Sequence, residues 1–190
     1  MTQPLRFGII GGYGATGRVV ASELWKSGAG EIRIGGRDLA KAKALAETFE
    51  SRASAARVDV FDAASLERFC RECAIIVNCG GPVMRLQDRV AQAARRSGCH
   101  YVDLAGLTVV KERLLPYSNE ICDRGLSLVV SAGWIPGLSE LLPMYAVARA
   151  TAGMDAVESL SFYFGDSGDW STAAFQDTGQ PKRCCAPSVY

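Results

Sequence analysis

A chain of 190 residues with 21 Lys and Arg against 20 Asp and Glu carries a net charge of +1, too little to gather nucleic acid or an anionic membrane surface. With 48% hydrophobic and 22% charged residues it has the balance of a folded globular protein, which excludes a disordered or fibrous chain. The length suits one domain of the usual size, about 100 to 150 residues, and part of a second, and the expected partner is a small molecule.

The first apolar run, "LRFGII" (5–10), reads as a strand and 16–27 as a helix closed by "GAG". Between them "GGYGATG" puts Gly12, Gly14 and Gly17 in GxGxxG spacing at a strand-to-helix junction, the context in which that spacing carries information. Gly12 permits the tight turn, Gly14 lets a pyrophosphate reach the backbone, and Gly17 lets the helix pack on the strand. Tyr13, Ala15 and Thr16 complete the loop, whose free amides and helix dipole favour phosphate charge. A dinucleotide is the expected ligand.

"EIRIGG" (31–36) is the second strand. A site for NAD usually places Asp or Glu at its end, where this chain reads "IGGRD". Gly35 and Gly36 leave room there, and Arg37 offers a planar fork suited to a 2′-phosphate, so the expected cofactor is NADP. Asp38 fits the N-cap of the next helix, whose Leu39, Ala42, Leu45, Ala46 and Phe49 recur at helical spacing. Shifted by one register, Asp38 would instead accept from the ribose. Lys41 reads as a solvated lysine.

The pattern continues with a strand over 56–60 ("ARVDV"), a short helix over 64–71, and a strand over 74–79 ("AIIVNC") apolar enough to be buried on both faces. A helix over 85–96 follows, then a strand and turn at "HYVDLAG" (100–106), a helix over 108–124 broken by Pro116, and a sixth strand in "LSLVVSAG" (126–133). Six strands alternating with helices predict an α/β fold, a doubly wound parallel sheet of Rossmann type, over residues 1–150. Residues 151–190 read as the start of a second, incomplete sheet domain. "VESLSFYFG" (157–165) alternates as a half-exposed strand does, and the end reads as loop or tail. That strand's unpaired edge predicts a homodimer. The seven cysteines, an odd number, fit reduced thiols, and the Cys70–Cys73 CxxC has no second pair, so no metal is expected. Without a signal segment or an apolar run near the roughly 18 residues of a membrane span, the expected location is cytoplasmic.

The segments "GGYGATGR", "IGGRDLAKA", "IVNCGGP", "GCHYVDLAG" and "SAGWIPGLSELL", in that order, make the chain resemble the saccharopine dehydrogenase-like family of NADP-dependent reductases over most of residues 5–145. The resemblance implies that Asn78, Cys79, Gly80, Gly81 and Pro82 lie beside the ribose and nicotinamide end of the cofactor, and Asp62 near the adenine. It places Asp103, Gly106, Gly133, Trp134, Pro136 and Gly137 on the nicotinamide and substrate side. It further implies hydride transfer between NADPH and an imine formed from an amine and a carbonyl compound. Asp103 is the catalytic candidate, with Tyr101, His100 or a bound water as other proton donors. The family commonly has Glu after the glycine of the "YVDxxG" element, where this chain has Leu107. The family also continues into a larger mixed-sheet domain, so the chain is expected to be a truncated form, and a cofactor-binding module without turnover is the alternative expectation.

Overall fold

A computed structural model describes residues 5–106, 108–150, 157–161, 163, 172 and 176–177. The apolar runs form β1 (Arg6–Ile10), β2 (Glu31–Gly36), β3 (Ala53–Arg57), β4 (Ile75–Asn78), β5 (His100–Asp103) and β6 (Leu128–Val129). They make one parallel sheet in the order β3-β2-β1-β4-β5-β6. The winding reverses between β1 and β4, and in such sheets ligands bind outside the carboxyl ends at that reversal. The predicted Rossmann-type α/β fold is the one observed.

Side chains alternate across β1, so Ile9 and Ile10 serve opposite faces. Ile9, Ile32 and Ile34 pack under α1 (Ala15–Ser27) and α2 (Leu39–Glu47), against Ala21, Ala42 and Ala46. Ile10, Ile76 and Tyr101 pack under α3 (Ala63–Arg71), α5 (Arg89–Ser97) and α6 (Thr108–Leu114). Phe69 of α3 lies in a trough that two glycines keep open. A Cβ on Gly8 would stand 2.8 Å from its Cε1, and one on Gly35 2.7 Å from its Cζ. Gly35 therefore makes room for this ring, where the sequence suggested room for a phosphate.

Several boundaries differ from expectation. The third strand was expected over 56–60, but its ladder runs from Ile32↔Ala53 to Gly36↔Arg57. Asp59 ends it early by accepting at Oδ1 from the N–H of Phe61 (3.0 Å), a turn that takes the chain off the sheet. The helix expected over 85–96 is split into α4 (Val83–Leu86) and α5 by Gln87, whose φ of 51° is left-handed. Arg113 of α6 grips the break, donating from Nη1 to Gln87 Oε1 (2.9 Å) and Asp88 Oδ1 (2.7 Å). Pro116 interrupts the next helix as expected. The two helical pieces α6 and α7 (Ser118–Asp123) flank a 3₁₀ turn over Leu115–Tyr117. β6 is two residues long because the chain turns at Ser131, at φ 66°.

A helix the sequence reading did not assign, α8 (Leu138–Ala150), follows "GWIPG" and contains Pro143. Its Leu141, Met144 and Tyr145 are exposed. In the segment expected to open a second sheet, residues 157–161 and 163 belong to no helix or strand, and residues 162 and 164–165 lie outside the described residues. So do most residues of 166–190, including the expected tail from 178 onward.

Candidate functional site

At the carboxyl ends of β1 to β4 the chain encloses a cleft of about 330 Å³. Its floor is the glycine loop. Gly11 takes a left-handed φ of 71° to reverse the chain, and the Gly12 N–H donates to Gly35 O (3.1 Å), tying the loop to β2. Gly17 lies beneath, since a Cβ there would stand 2.7 Å from Gly12 Cα. Gly14, which caps α1 without any side-chain bond, is different: a Cβ on it would meet only Gly11 O, at 3.1 Å. The amides of Ala15, Thr16 and Gly17 have no acceptor among the described residues, and the first turn of α1 holds no acidic side chain. This end of a thirteen-residue helix is thus open to an anion from the cleft side.

One wall is built by Tyr13, Gly36 and Arg37. The Tyr13 ring covers Gly36, where a Cβ would come within 2.8 Å of Tyr13 Cζ. Arg37 is exposed and forms no hydrogen bond or ion pair among the described residues, so its fork is available to a ligand. Asp38 is the α2 N-cap, accepting at Oδ1 from the Lys41 N–H (3.1 Å), which settles its role in favour of the cap. Lys41 is exposed, with Nζ 3.7 Å from Asp38 Oδ2. The opposite wall is Val58, Val60, Phe61, Arg85 and Leu86. The guanidinium carbons of Arg85 and Arg89 stand 5.9 and 5.3 Å from the Phe61 ring centroid, within cation–π range. Asp62, expected near the adenine, does not line the cleft. It caps α3, accepting from the N–H groups of Ala64 (3.0 Å) and Ser65 (3.2 Å). Phe61 and Arg85 were not singled out from the sequence, because the exposure of Phe61 and its stacking with Arg85 appear only in the folded chain.

The loop after β4 closes the cleft with Cys79, Gly80, Gly81 and Pro82. Burial pushes the Cys79 thiol up to about 12, so it stays protonated and unreactive. Asn78 sits beneath and starts a buried relay. Its Oδ1 accepts from the Gly80 N–H (3.1 Å) and its Nδ2 donates to Tyr101 Oη (3.2 Å). The Tyr101 hydroxyl in turn donates to Asp103 Oδ2 (3.1 Å). Burial, with Asp103 alongside, raises the Tyr101 phenol well above its ordinary value, which keeps it a donor. Asp103 Oδ1 accepts from the N–H groups of Gly106 (2.5 Å) and Ser131 (2.8 Å). The Ser131 hydroxyl closes the loop by donating to Gly106 O.

Asp103 was expected to be catalytic, yet it is 3% exposed and both carboxylate oxygens are engaged in holding loops. His100 stands at the start of β5, the amino end of the strand, where Nδ1 accepts from the Ser127 N–H (3.1 Å). Gly133 and Trp134 do not line this cleft; Trp134 is 48% exposed. Of the residues expected at the cofactor, the structure thus gathers Tyr13, Gly14, Ala15, Thr16, Arg37, Cys79, Gly80, Gly81 and Pro82 around one cleft. Gly12, Gly17 and Asn78 support it from below, and Asp62, Gly133 and Trp134 lie apart from it.

Known proteins agree with this geometry. The family model described as the saccharopine dehydrogenase NADP binding domain matches residues 7–129. A human saccharopine dehydrogenase-like oxidoreductase is 23% identical over 184 residues, covering 87% of this chain and 43% of that protein. A probable mitochondrial saccharopine dehydrogenase-like oxidoreductase of Arabidopsis thaliana is 29% identical over 140 residues, covering 65% of this chain and 30% of its own length. The chain therefore spans less than half the length of these relatives. Among solved structures, saccharopine dehydrogenase (L-Glu forming) from Saccharomyces cerevisiae superposes with a TM-score of 0.64 at 20% identity, over 76% of this chain and 31% of that one. That likeness shows the fold. An open helix end for a pyrophosphate and an unpartnered Arg37 for a 2′-phosphate fit the cofactor that the family model names. The chain belongs to the saccharopine dehydrogenase NADP binding domain family, and NADP is its cofactor.

Proposed function

We propose that this domain serves an oxidoreductase that transfers hydride between NADPH and an imine formed from an amine and a carbonyl compound. The observation that carries the reading is the cleft itself, with the uncapped α1 end and the free Arg37 fork on one rim. When bound, NADPH supplies the hydride and leaves as NADP, and the protein's task is to hold it and exclude water. Ala15, Thr16 and Gly17 present amides to the pyrophosphate, Arg37 takes the 2′-phosphate, and the 79–82 loop bounds the far side. Among the described residues, the polar side chains that line the cleft are Tyr13, Thr16, Arg37, Cys79 and Arg85, with no carboxylate or imidazole. That same observation favours a second reading, a domain that binds the cofactor without turning substrate over.

Following loss of reduced-nicotinamide absorbance with a panel of amine and 2-oxo acid pairs, beside an NADPH titration, separates the two. Consumption with any pair supports the reductase, and binding without consumption supports the binding domain. Arg37→Ala is expected to remove most of the preference for NADPH over NADH, because each charge-assisted bond to the phosphate contributes about 1.5 to 3 kcal/mol. Equal affinity of the unaltered protein for both cofactors would contradict the role of Arg37. We also propose self-association through the region after residue 150. Light scattering over a concentration series, with and without residues 151–190, tests it; a protein monomeric throughout refutes it, as does a shortened one that dimerises equally well.

A further inference from the structure

Tyr13 occupies the first variable position of the glycine loop, and three contacts fix it. Its carbonyl oxygen accepts from Arg18 Nε (2.8 Å). Its ring lies on Gly36, where any Cβ would collide with it. Its hydroxyl oxygen accepts from the Asp38 N–H (3.1 Å), the amide that joins Arg37 to Asp38. The phenol therefore bridges the loop that receives the pyrophosphate and the turn that carries Arg37. It accepts on the protein side, while its own hydroxyl proton has no acceptor among the described residues, and Tyr13 lines the same cleft as Arg37.

We propose that Tyr13 is a second determinant of NADP over NAD selection, holding the Arg37–Asp38 peptide in place and donating its hydroxyl proton to the 2′-phosphate. A phosphate monoester offers anionic oxygens to that proton, and a ribose hydroxyl offers only a neutral one, so the bond discriminates between the two cofactors. Gly36 then has a specific purpose: it admits the ring that completes the site. Bridging also sets the span between the two phosphate seats before the ligand arrives, which lowers the ordering cost of binding.

The inference rests on Arg37 as the phosphate ligand, and the test keeps the two apart. NADPH and NADH are titrated calorimetrically into the unaltered protein, Arg37→Ala, Tyr13→Phe and Gly36→Ala, with thermal melts of each. Tyr13→Phe keeps the ring and loses the hydroxyl; it is expected to weaken NADPH about tenfold, the scale of one charge-assisted bond, and to leave NADH within about twofold. Gly36→Ala displaces the ring and is expected to lower the same ratio. A preference abolished by Arg37→Ala and retained in Tyr13→Phe overturns the role of Tyr13 alone. So does an equal loss for both cofactors, which would make the phenol a general support of the loop. An unaltered protein without preference overturns Arg37 and Tyr13 together.

Discussion

Gly14→Val is expected to abolish NADP binding in a protein that remains folded. Gly14 has φ −70° and ψ 171°, extended backbone that valine adopts readily, so no conformational strain arises. Its Cβ would meet only Gly11 O, at 3.1 Å, so a branched side chain can only grow outward into the cleft, over the amides of Ala15 to Gly17. A pyrophosphate would lose its approach to those amides, and a loss of affinity of about 100-fold or more follows from about 3 kcal/mol of forfeited charge-assisted bonding. Circular dichroism and a titration on one sample check both halves. Unchanged affinity would mean that the phosphates do not sit at this helix end. Gly17→Ala is the contrasting case: its Cβ would press within 2.7 Å of Gly12 Cα, so stability suffers, by about 1 to 3 kcal/mol of overpacking.

Asp103→Ala should be the most destabilising of the polar substitutions. It strands the amides of Gly106 and Ser131 and the Tyr101 hydroxyl without their acceptor, at about 1 to 3 kcal/mol for each buried group before relaxation. About 3 to 5 kcal/mol in total is expected, a large share of the 5 to 15 kcal/mol that roughly bounds domain stability. Ser131, a non-glycine residue held at φ 66°, also loses the bond that keeps it there. Tyr101→Phe removes one donor and leaves the Asn78 amide short of one acceptor, so about 1 kcal/mol is expected. Urea denaturation of the series gives the order. An Asp103→Ala protein within about 1 kcal/mol of the unaltered one would show that solvent replaces the carboxylate, and would reopen a chemical role for it.

Local signals carried the cofactor loop. Gly12, Gly14 and Gly17 are legible because their spacing, the preceding strand and the following helix all lie within one short stretch, and Arg37 because its place at the end of β2 is counted from them. What failed to show was whatever depends on a partner far along the chain. Gly35 and Gly36 looked like space for a phosphate, but their neighbours are Phe69 and Tyr13. Asp103 looked like an acid at a strand end, and the local pattern did not show that Gly106 and Ser131 fold back to donate to its Oδ1. β3 was misplaced because "ASAAR" has weak strand propensity beside the valines of "ARVDV", and pairing with β2 overrode propensity. α8 escaped because its apolar residues follow no single stripe, which leaves no helical period to read.

The trough holding Phe69 has a bearing on how such domains diverge. Gly35 on β2 is bare because one aromatic ring from α3 lies across it, Gly8 on β1 because that ring and the Cys73 sulfur, 2.8 and 2.7 Å from where its Cβ would stand, both crowd it, and Arg33 stands 5.6 Å above the ring. Positions 35 and 69 therefore pack as one unit, which position 8 joins only if Cys73 also yields. A methyl group gained at 8 or 35 requires a smaller residue at 69, and a smaller residue at 69 leaves a void that a side chain on β1 or β2 can fill. Drift at these sites should therefore be concerted, with alanine or larger at 8 or 35 found alongside leucine or valine at 69. Laboratory evolution starting from Phe69→Leu should recover stability first through changes at 35, since the Cys73 sulfur still crowds position 8.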